Sequence, residues 1–228
     1  MQLILLDVEA LRDKDHHDYS EIVELGAVKL RSISKSLIQA ETFQSFIKPV
    51  FLQVKRKFCH FTHIEKTLLE TAEPFAQVID RFQTWIGDEE TVFIGWSTHD
   101  RSMLIQNCKF HGIDSGWICT SYADLQEEVD QILGSKTNTG LKAAMDQYGI
   151  RFKGVQHRAL DDALNTAAIL KKILPEASET FLEKLNLNER SHSEKAENHG
   201  HGGKIDEEII DDGTGCRSDA QRIAYKSC

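Results

Sequence analysis

Five side chains in three short stretches have the types and spacings to hold a divalent cation and move a proton. Asp7 and Glu9 lie two residues apart at the end of an otherwise apolar run, Leu3-Ile4-Leu5-Leu6-Asp7-Val8. In a strand, that spacing sends both carboxylates to one face. Two carboxylates on an apolar face are costly to bury without a cation, and their oxygens suit Mg²⁺ or Mn²⁺. Asp100 follows the apolar run 91–96 and opens a helical pattern. Such an acid is often a helix cap, and strand ends are also where sites gather in sheet proteins. The third stretch is His157-Arg158-Ala159-Leu160-Asp161-Asp162-Ala163. It puts an imidazole in the loop before a helix and a carboxylate about one turn into it. Asp162 is then set to bind a metal, and His157 to take a proton near neutral pH. Singly, each stretch has a plainer reading: a solvent-facing strand end, a cap, an exposed histidine. The combination carries the weight.

These stretches need elements to position them. Residues 3–8, 22–30 and 42–47 have strand character, the second interrupted by Gly26 and the third stopped by Pro49. Strand runs joined by short polar loops predict an antiparallel meander. The period then changes. Phe75, Val78, Ile79, Phe82, Trp85 and Ile86 recur at three- and four-residue spacing, one face of a helix between Pro74 and Gly87. A buried strand is expected at 91–96, a helix at 100–108, a fifth strand at 117–122 and a helix at 124–133. A polar loop covers 134–140. Further helices are expected around Leu141, Ala144, Met145 and Tyr148, and over 159–174, where Pro175 ends the pattern. Three strands followed by strands alternating with helices imply an α/β fold, a mixed five-stranded sheet flanked by helices.

The chain has 228 residues, enough for one well-cored domain with extra material at an end. Residues 1–187 form the expected domain. Beyond about Leu187 the sequence is polar and rich in Gly, Ser, Asp and Glu, so 188–228 is expected to be a disordered tail. Its His199-Gly200-His201 segment reads as solvated linker in preference to a metal site. No apolar run approaches the roughly 20 residues of a membrane span, and Met1–Asp7 lacks the basic lead of a signal peptide. Five scattered cysteines without a C-x-x-C pair imply reduced thiols in the cytoplasm. The net charge of −9 argues against a protein that coats long stretches of nucleic acid. It leaves room for one that holds a short end with the help of cations, whose charge the sequence does not count.

In order along the chain, Asp7-Val8-Glu9, Asp100 and His157 to Ala163 resemble the DEDDh exonucleases, a group with the ribonuclease H-like fold. All five acid and histidine positions of that pattern are filled, and the resemblance runs from about Leu3 to Leu174. Further residues resemble the RNA-trimming branch related to the histone-mRNA 3′ exonuclease: Asp7-Val8-Glu9-Ala10, the segment from Glu21 to Val28, the segment from Phe58 to Ile64, Trp96-Ser97-Thr98-His99-Asp100, Gly140-Leu141 and Asn165. The chain departs from that branch at Leu11, His63 and Ser97, where threonine, glycine and glycine are usual. None of the three is a metal ligand, but Leu11 and His63 bear on sugar and base preference.

The resemblance implies 3′–5′ exonuclease activity on single-stranded 3′ ends, RNA ahead of DNA, with release of nucleoside 5′-monophosphates. It implies that Asp7, Glu9, Asp100 and Asp162 hold two divalent cations, Mg²⁺ or Mn²⁺, about 4 Å apart. His157 then takes a proton from the attacking water, and Glu9 also reaches the terminal 3′ hydroxyl. Ala10, Leu11, Thr62, His63, Trp96 and His99 are the implied substrate contacts, with Leu11 and His99 as candidate wedges against the last bases or as ordinary pocket packing. Lys55-Arg56-Lys57 is either an upstream phosphate contact or a solvated loop. Two other readings compete. One is a binding module on a nuclease fold, which normally loses ligands or the histidine. The other is a phosphodiesterase for short oligonucleotides. Mononucleotide release that EDTA abolishes separates catalysis from binding.

Overall fold

The computed structural model describes residues 1–12, 19–33, 36–119 and 121–187. The chain divides into Met1–Asn188 and a second unit, Glu189–Cys228. The tail expected from the sequence, with its His-Gly-His segment, lies outside the described residues.

Five strands, β1 (Gln2–Arg12), β2 (Ser20–Ile33), β3 (Ser36–Phe46), β4 (Thr91–Gly95) and β5 (Tyr122–Asp124), form one mixed sheet in the order β3-β2-β1-β4-β5. The β1–β2 and β2–β3 pairs are antiparallel, while β1–β4 and β4–β5 are parallel. Helices α1 (Arg56–Thr62), α2 (Lys66–Glu70) and α3 (Phe75–Ile86) lie between β3 and β4. Next come α4 (Thr98–Phe110), α5 (Gly116–Cys119), α6 (Leu125–Leu133), α7 (Leu141–Gln147), α8 (Ala159–Ile173) and α9 (Glu179–Lys184). No described helix is long and apolar enough to cross a membrane.

The period-two alternation of β1 fills two cores. Leu3 and Leu5 pack with Val28, Leu30, Ala163, Ala167 and Leu170, on the side covered by α8. Ile4, Leu6 and Val8 pack with Val78, Phe82, Leu104 and Cys108 of α3 and α4. Burial on both faces is why the first part of the strand reads as a continuous apolar run. Asp7 and Glu9 continue the Leu3–Leu5 row, so the strand's own alternation aims both at α8.

Helix α3 has the bounds that the apolar spacing predicts, with Gly87 at φ 76° closing it. Around residues 117–122 the structure corrects the expectation. Residues 116–119 form a helical turn with Ile118 buried, and β5 is only Tyr122–Asp124, aligned with Phe93–Gly95. A short apolar run has no periodicity of its own to separate the two, and here the partner strand decides. Strand β3 begins at Ser36, six residues earlier than its apolar content predicts. It is a largely exposed edge strand whose first half is specified by pairing with β2 and not by burial.

Candidate active site

Three features bring the acids and the histidine together. The first is the unequal length of the strands around β1. Its ladder with β4 runs from Gln2–Thr91 to Leu5–Ile94, whereas its ladder with β2 continues to Arg12. Past Leu5, the β4 side of β1 is therefore open. Asp100, in the first turn of α4 and only 7% exposed, fills this opening and accepts hydrogen bonds from the backbone N–H groups of Val8 and of Asp100 itself. Ser97 caps the helix by accepting from the His99 N–H at 3.3 Å.

The second feature is a close crossing. Gly26 pairs with Asp7 across the β1–β2 ladder. A Cβ at Gly26 would lie 2.2 Å from the Leu160 nitrogen and 2.3 Å from the Ala159 carbonyl carbon, so the first turn of α8 rests directly on this glycine. Only a residue without a side chain permits that approach. The contact carries Asp162 across the sheet to Asp7 and Glu9.

The third feature is the loop before α8, which the helix's own side chains shape. Asn165 accepts from the Lys153 N–H (3.0 Å) and donates to the carbonyls of Lys153 and Asp161 (2.7 Å each). Asp161 accepts from the Val155 N–H at 2.8 Å, and its carboxylate occupies the space a Cβ on Gly154 would need. Asp162 accepts from the His157 N–H at 3.0 Å. These bonds hold His157 at φ 62°, a left-handed conformation costly for a non-glycine residue.

Glu9, His157 and Asp162 each offer a ligand atom within 4.8 Å of the others. Burial and mutual repulsion raise the acids well above the ordinary carboxylate range. Glu9 is pushed to about 8, by burial first and then by Asp162, Glu24 and Asp100. Asp162 and Asp100 are each pushed to about 7, burial again leading. Asp7 is raised by burial, then by Asp100, Asp162 and Glu9. The cation that eases Glu9 and Asp100 is Arg12. Arg158 is taken up by the fully buried Glu24, which it meets at 3.1 Å. Hard oxygen donors crowded together with so little positive charge fit a site for Mg²⁺ or Mn²⁺. His157 is shifted the other way, below its ordinary 6.5, by burial and by His63. It is therefore neutral at pH 7 and able to accept a proton.

The residues expected to touch substrate are spread around this cluster. His63, at φ 58° at the end of α1, and His99 are exposed, and the His99 ring nitrogen Nδ1 lies 3.2 Å from the Ser97 hydroxyl. Ala10 is partly buried, where the β1–β2 register shifts around the extra β2 residue Val23. Leu11 is only 3% exposed and packs with Val23, Ile64 and Leu69. Thr62 is buried, its hydroxyl donating to the Phe58 carbonyl and accepting from the Ile64 N–H. Trp96 is partly buried and donates its indole N–H to the Thr139 carbonyl at 3.1 Å. Lys55, Arg56 and Lys57 cap and open α1 and are exposed.

Three participants escape a reading of the sequence. Phe61 stacks on the His157 ring, centroids 3.9 Å apart. Glu24, fully buried beside the acids, binds Arg158 and accepts from the Ala159 N–H, tying β2 to the start of α8. Tyr122 donates its hydroxyl to the Ser97 carbonyl at 2.7 Å, bracing the turn before Asp100. Only Glu24 left a signal, as a charged residue inside an apolar strand.

Residues 4–170 match the RNase_T exonuclease family model. The chain is 31% identical over 167 residues to the probable 3′-5′ exonuclease KapD of Bacillus subtilis, an alignment covering 73% of this chain and 78% of that protein. It is 27% identical over 197 residues to ERI1 exoribonuclease 2 of Homo sapiens, covering 75% of this chain but only 28% of that much longer protein. The nuclease domain of 3′hExo, a DEDDh family member solved with bound rAMP, superposes with a TM-score of 0.69 at 19% identity, covering 77% of this chain and 92% of that one.

Proposed function

The chain belongs to the RNase_T family of DEDDh 3′–5′ exonucleases, and from that premise we propose that it trims single-stranded 3′ ends one nucleotide at a time, RNA ahead of DNA, releasing nucleoside 5′-monophosphates. Membership makes it a hydrolase of phosphodiester bonds. The observation that carries the finer reading is the cluster of four acids with raised pKa, two of which, Glu9 and Asp162, have ligand atoms within 4.8 Å of a ring nitrogen of His157, whose pKa is lowered. The preference for RNA rests on the likeness to ERI1 exoribonuclease 2.

Asp7, Glu9, Asp100 and Asp162 hold two divalent cations, Mg²⁺ or Mn²⁺, in this reading. When bound, the cations offset the negative charge of the acids and phosphate and acidify water. His157, neutral near pH 7, accepts the proton of the attacking water on its ring. Phe61 covers one face of that ring and keeps solvent from it. Glu9 accepts a hydrogen bond from the terminal 3′ hydroxyl, which selects ends over internal bonds. His63 and His99 present exposed rings to the last nucleotides, and Ala10, opposite the bulge in β2, presents backbone. Leu11, Thr62 and Trp96 act from behind, as the packed wall of the pocket. Residues 1–187 suffice for this chemistry.

The test is digestion of matched, uniformly labelled RNA and DNA, each single- and double-stranded, with Mg²⁺ or Mn²⁺. Mononucleotides are expected from single-stranded 3′ ends, faster from RNA, with nothing released in EDTA. Binding without release would leave a non-catalytic binding module in place of the enzyme.

A further inference from the structure

A second surface stands apart from the acids. Where the loop after β3 meets the end of α4, the rings of Tyr19, Phe51, Phe110 and His111 cluster. Phe51 and Phe110 meet edge-on at 4.2 Å, and Tyr19 lies 5.1 Å from Phe110. Phe51 and Phe110 are 54% and 48% exposed, beside an open cavity of about 340 Å³ whose lining includes Lys48, Val50, Phe75 and His111. The exposure is built in. The Glu21 carboxylate, 2% exposed, accepts the N–H groups of Val50 (2.5 Å), Phe51 (3.1 Å) and Leu52 (2.7 Å). A buried charge is thus committed to holding a loop whose ring points into solvent. Exposed apolar clusters held this way mark binding surfaces.

The surroundings select the partner. Lys48 and Lys109 are exposed beside the rings, and the same loop leads into exposed Lys55, Arg56 and Lys57 at the start of α1. In a chain of net charge −9, this local basic run is unusual. Rings set among basic side chains suit single-stranded nucleic acid, whose bases stack while its phosphates are neutralised. Helix α1 also connects the patch to the site, because Phe61 near its other end stacks on His157. From Phe61 back to Phe51 the chain spans at most about 25 Å, five helical residues and five extended ones. That is roughly seven stacked nucleotides, within the ~4–16 typical of single-strand sites.

We propose that this aromatic patch is an upstream binding site for the substrate strand. Bases about four to seven nucleotides from the 3′ end stack on Phe51 and Phe110, and Lys48, Lys109 and the start of α1 meet the phosphates. The proposal rests on the exonuclease reading above.

The experiment compares the full chain with its Phe51→Ala/Phe110→Ala variant on a trinucleotide, which reaches only the catalytic site, and on a 12-mer. The expected result is a KM for the 12-mer raised about five- to tenfold, with its kcat and all trinucleotide parameters unchanged. Lys48→Glu/Lys109→Glu should weaken 12-mer binding and flatten its salt dependence. An unchanged 12-mer KM overturns the proposal, as does a change of oligomeric state in place of a KM effect. If the alanine variant loses turnover on both substrates, Phe51→Leu/Phe110→Leu, which keeps apolar bulk without a ring, decides by the same 12-mer criterion. If the wild type cuts neither substrate, the exonuclease reading fails. Fluorescence anisotropy of a labelled 12-mer in EDTA then still tests the patch, and equal affinity in wild type and variant overturns it.

Discussion

Removing one negative charge from the site should make the metal-free protein more stable while destroying its response to cations. In Glu9→Gln, the amide keeps the shape of the side chain and loses the charge. The Glu9 carboxyl titrates normally near 4.5 and is pushed to about 8 in the folded chain. A pKa raised by folding favours the protonated form. Its contribution to stability is present in full below pH 4.5 and is lost as pH rises to 8. At 1.36 kcal/mol per pH unit, the ceiling on that loss is roughly 3.4 kcal/mol at pH 7 and 5 kcal/mol above pH 8. Glu9 is only partly buried, so water screens it, and neutralising any one acid also relieves the other three. About 1–2 kcal/mol is the expected gain. For a domain of this size that is a rise in Tm of about 2–8 °C. The assay is thermal unfolding of wild type and variant in EDTA at pH 5 and pH 8, then with Mn²⁺. The variant should melt higher at pH 8, and the gap should close towards pH 5. A cation at a hundred times its Kd should stabilise the wild type by about 2.7 kcal/mol and the variant far less. A variant less stable than wild type in EDTA at pH 8, or one stabilised equally by Mn²⁺, would refute the argument that these acids form an uncompensated cation site.

Other perturbations probe the parts that position the site. His157→Ala should lower kcat by about 10²–10⁴-fold under saturating Mn²⁺ with little change in KM. Because burial and His63 lower the His157 pKa, the wild-type rate should fall only below its ordinary 6.5, and a mutant with the same acid limb and full rate would point to another base. Gly26→Ala pushes a methyl into the backbone of α8, so it should cost about 1–3 kcal/mol in denaturant unfolding and about 10²-fold in kcat; wild-type values for both would show that the helix start does not set the geometry. A chain ending at Leu187 should remain soluble and cut at the full rate, since Phe181, Leu185 and Leu187 already close the core; insolubility or lost activity would assign a structural role to the tail.

The elements that carry the chemistry were legible because burial wrote itself into period. The apolar run of β1, the helical face of α3 and the alanine-rich α8 are local patterns; α3 and α8 form where their spacing predicts, and β1 runs on past Val8 to Arg12. The five residues of the DEDDh pattern were legible as types in an order. Their convergence was not, because it depends on contacts between residues as far apart in sequence as Asp7 and Asp162. Gly26 reads as a weak point in a strand until α8 is seen resting on it. The local sequence ends β4 near Trp96, but it does not say that the β1–β4 ladder stops at Leu5–Ile94 and so opens the edge that Asp100 fills. The resemblance leaves Leu11 as either a wedge for a base or ordinary pocket packing, and it is packed against Ile64 and Leu69. Phe61 lies on a short helix too polar to show a period, and its place over His157 follows from how that helix packs. The sequence by itself determined which groups are available and which local elements bear them, since both depend on neighbours in the chain. The tertiary structure decided distances, burial and the pKa values that follow from them, because those depend on groups that only packing brings together.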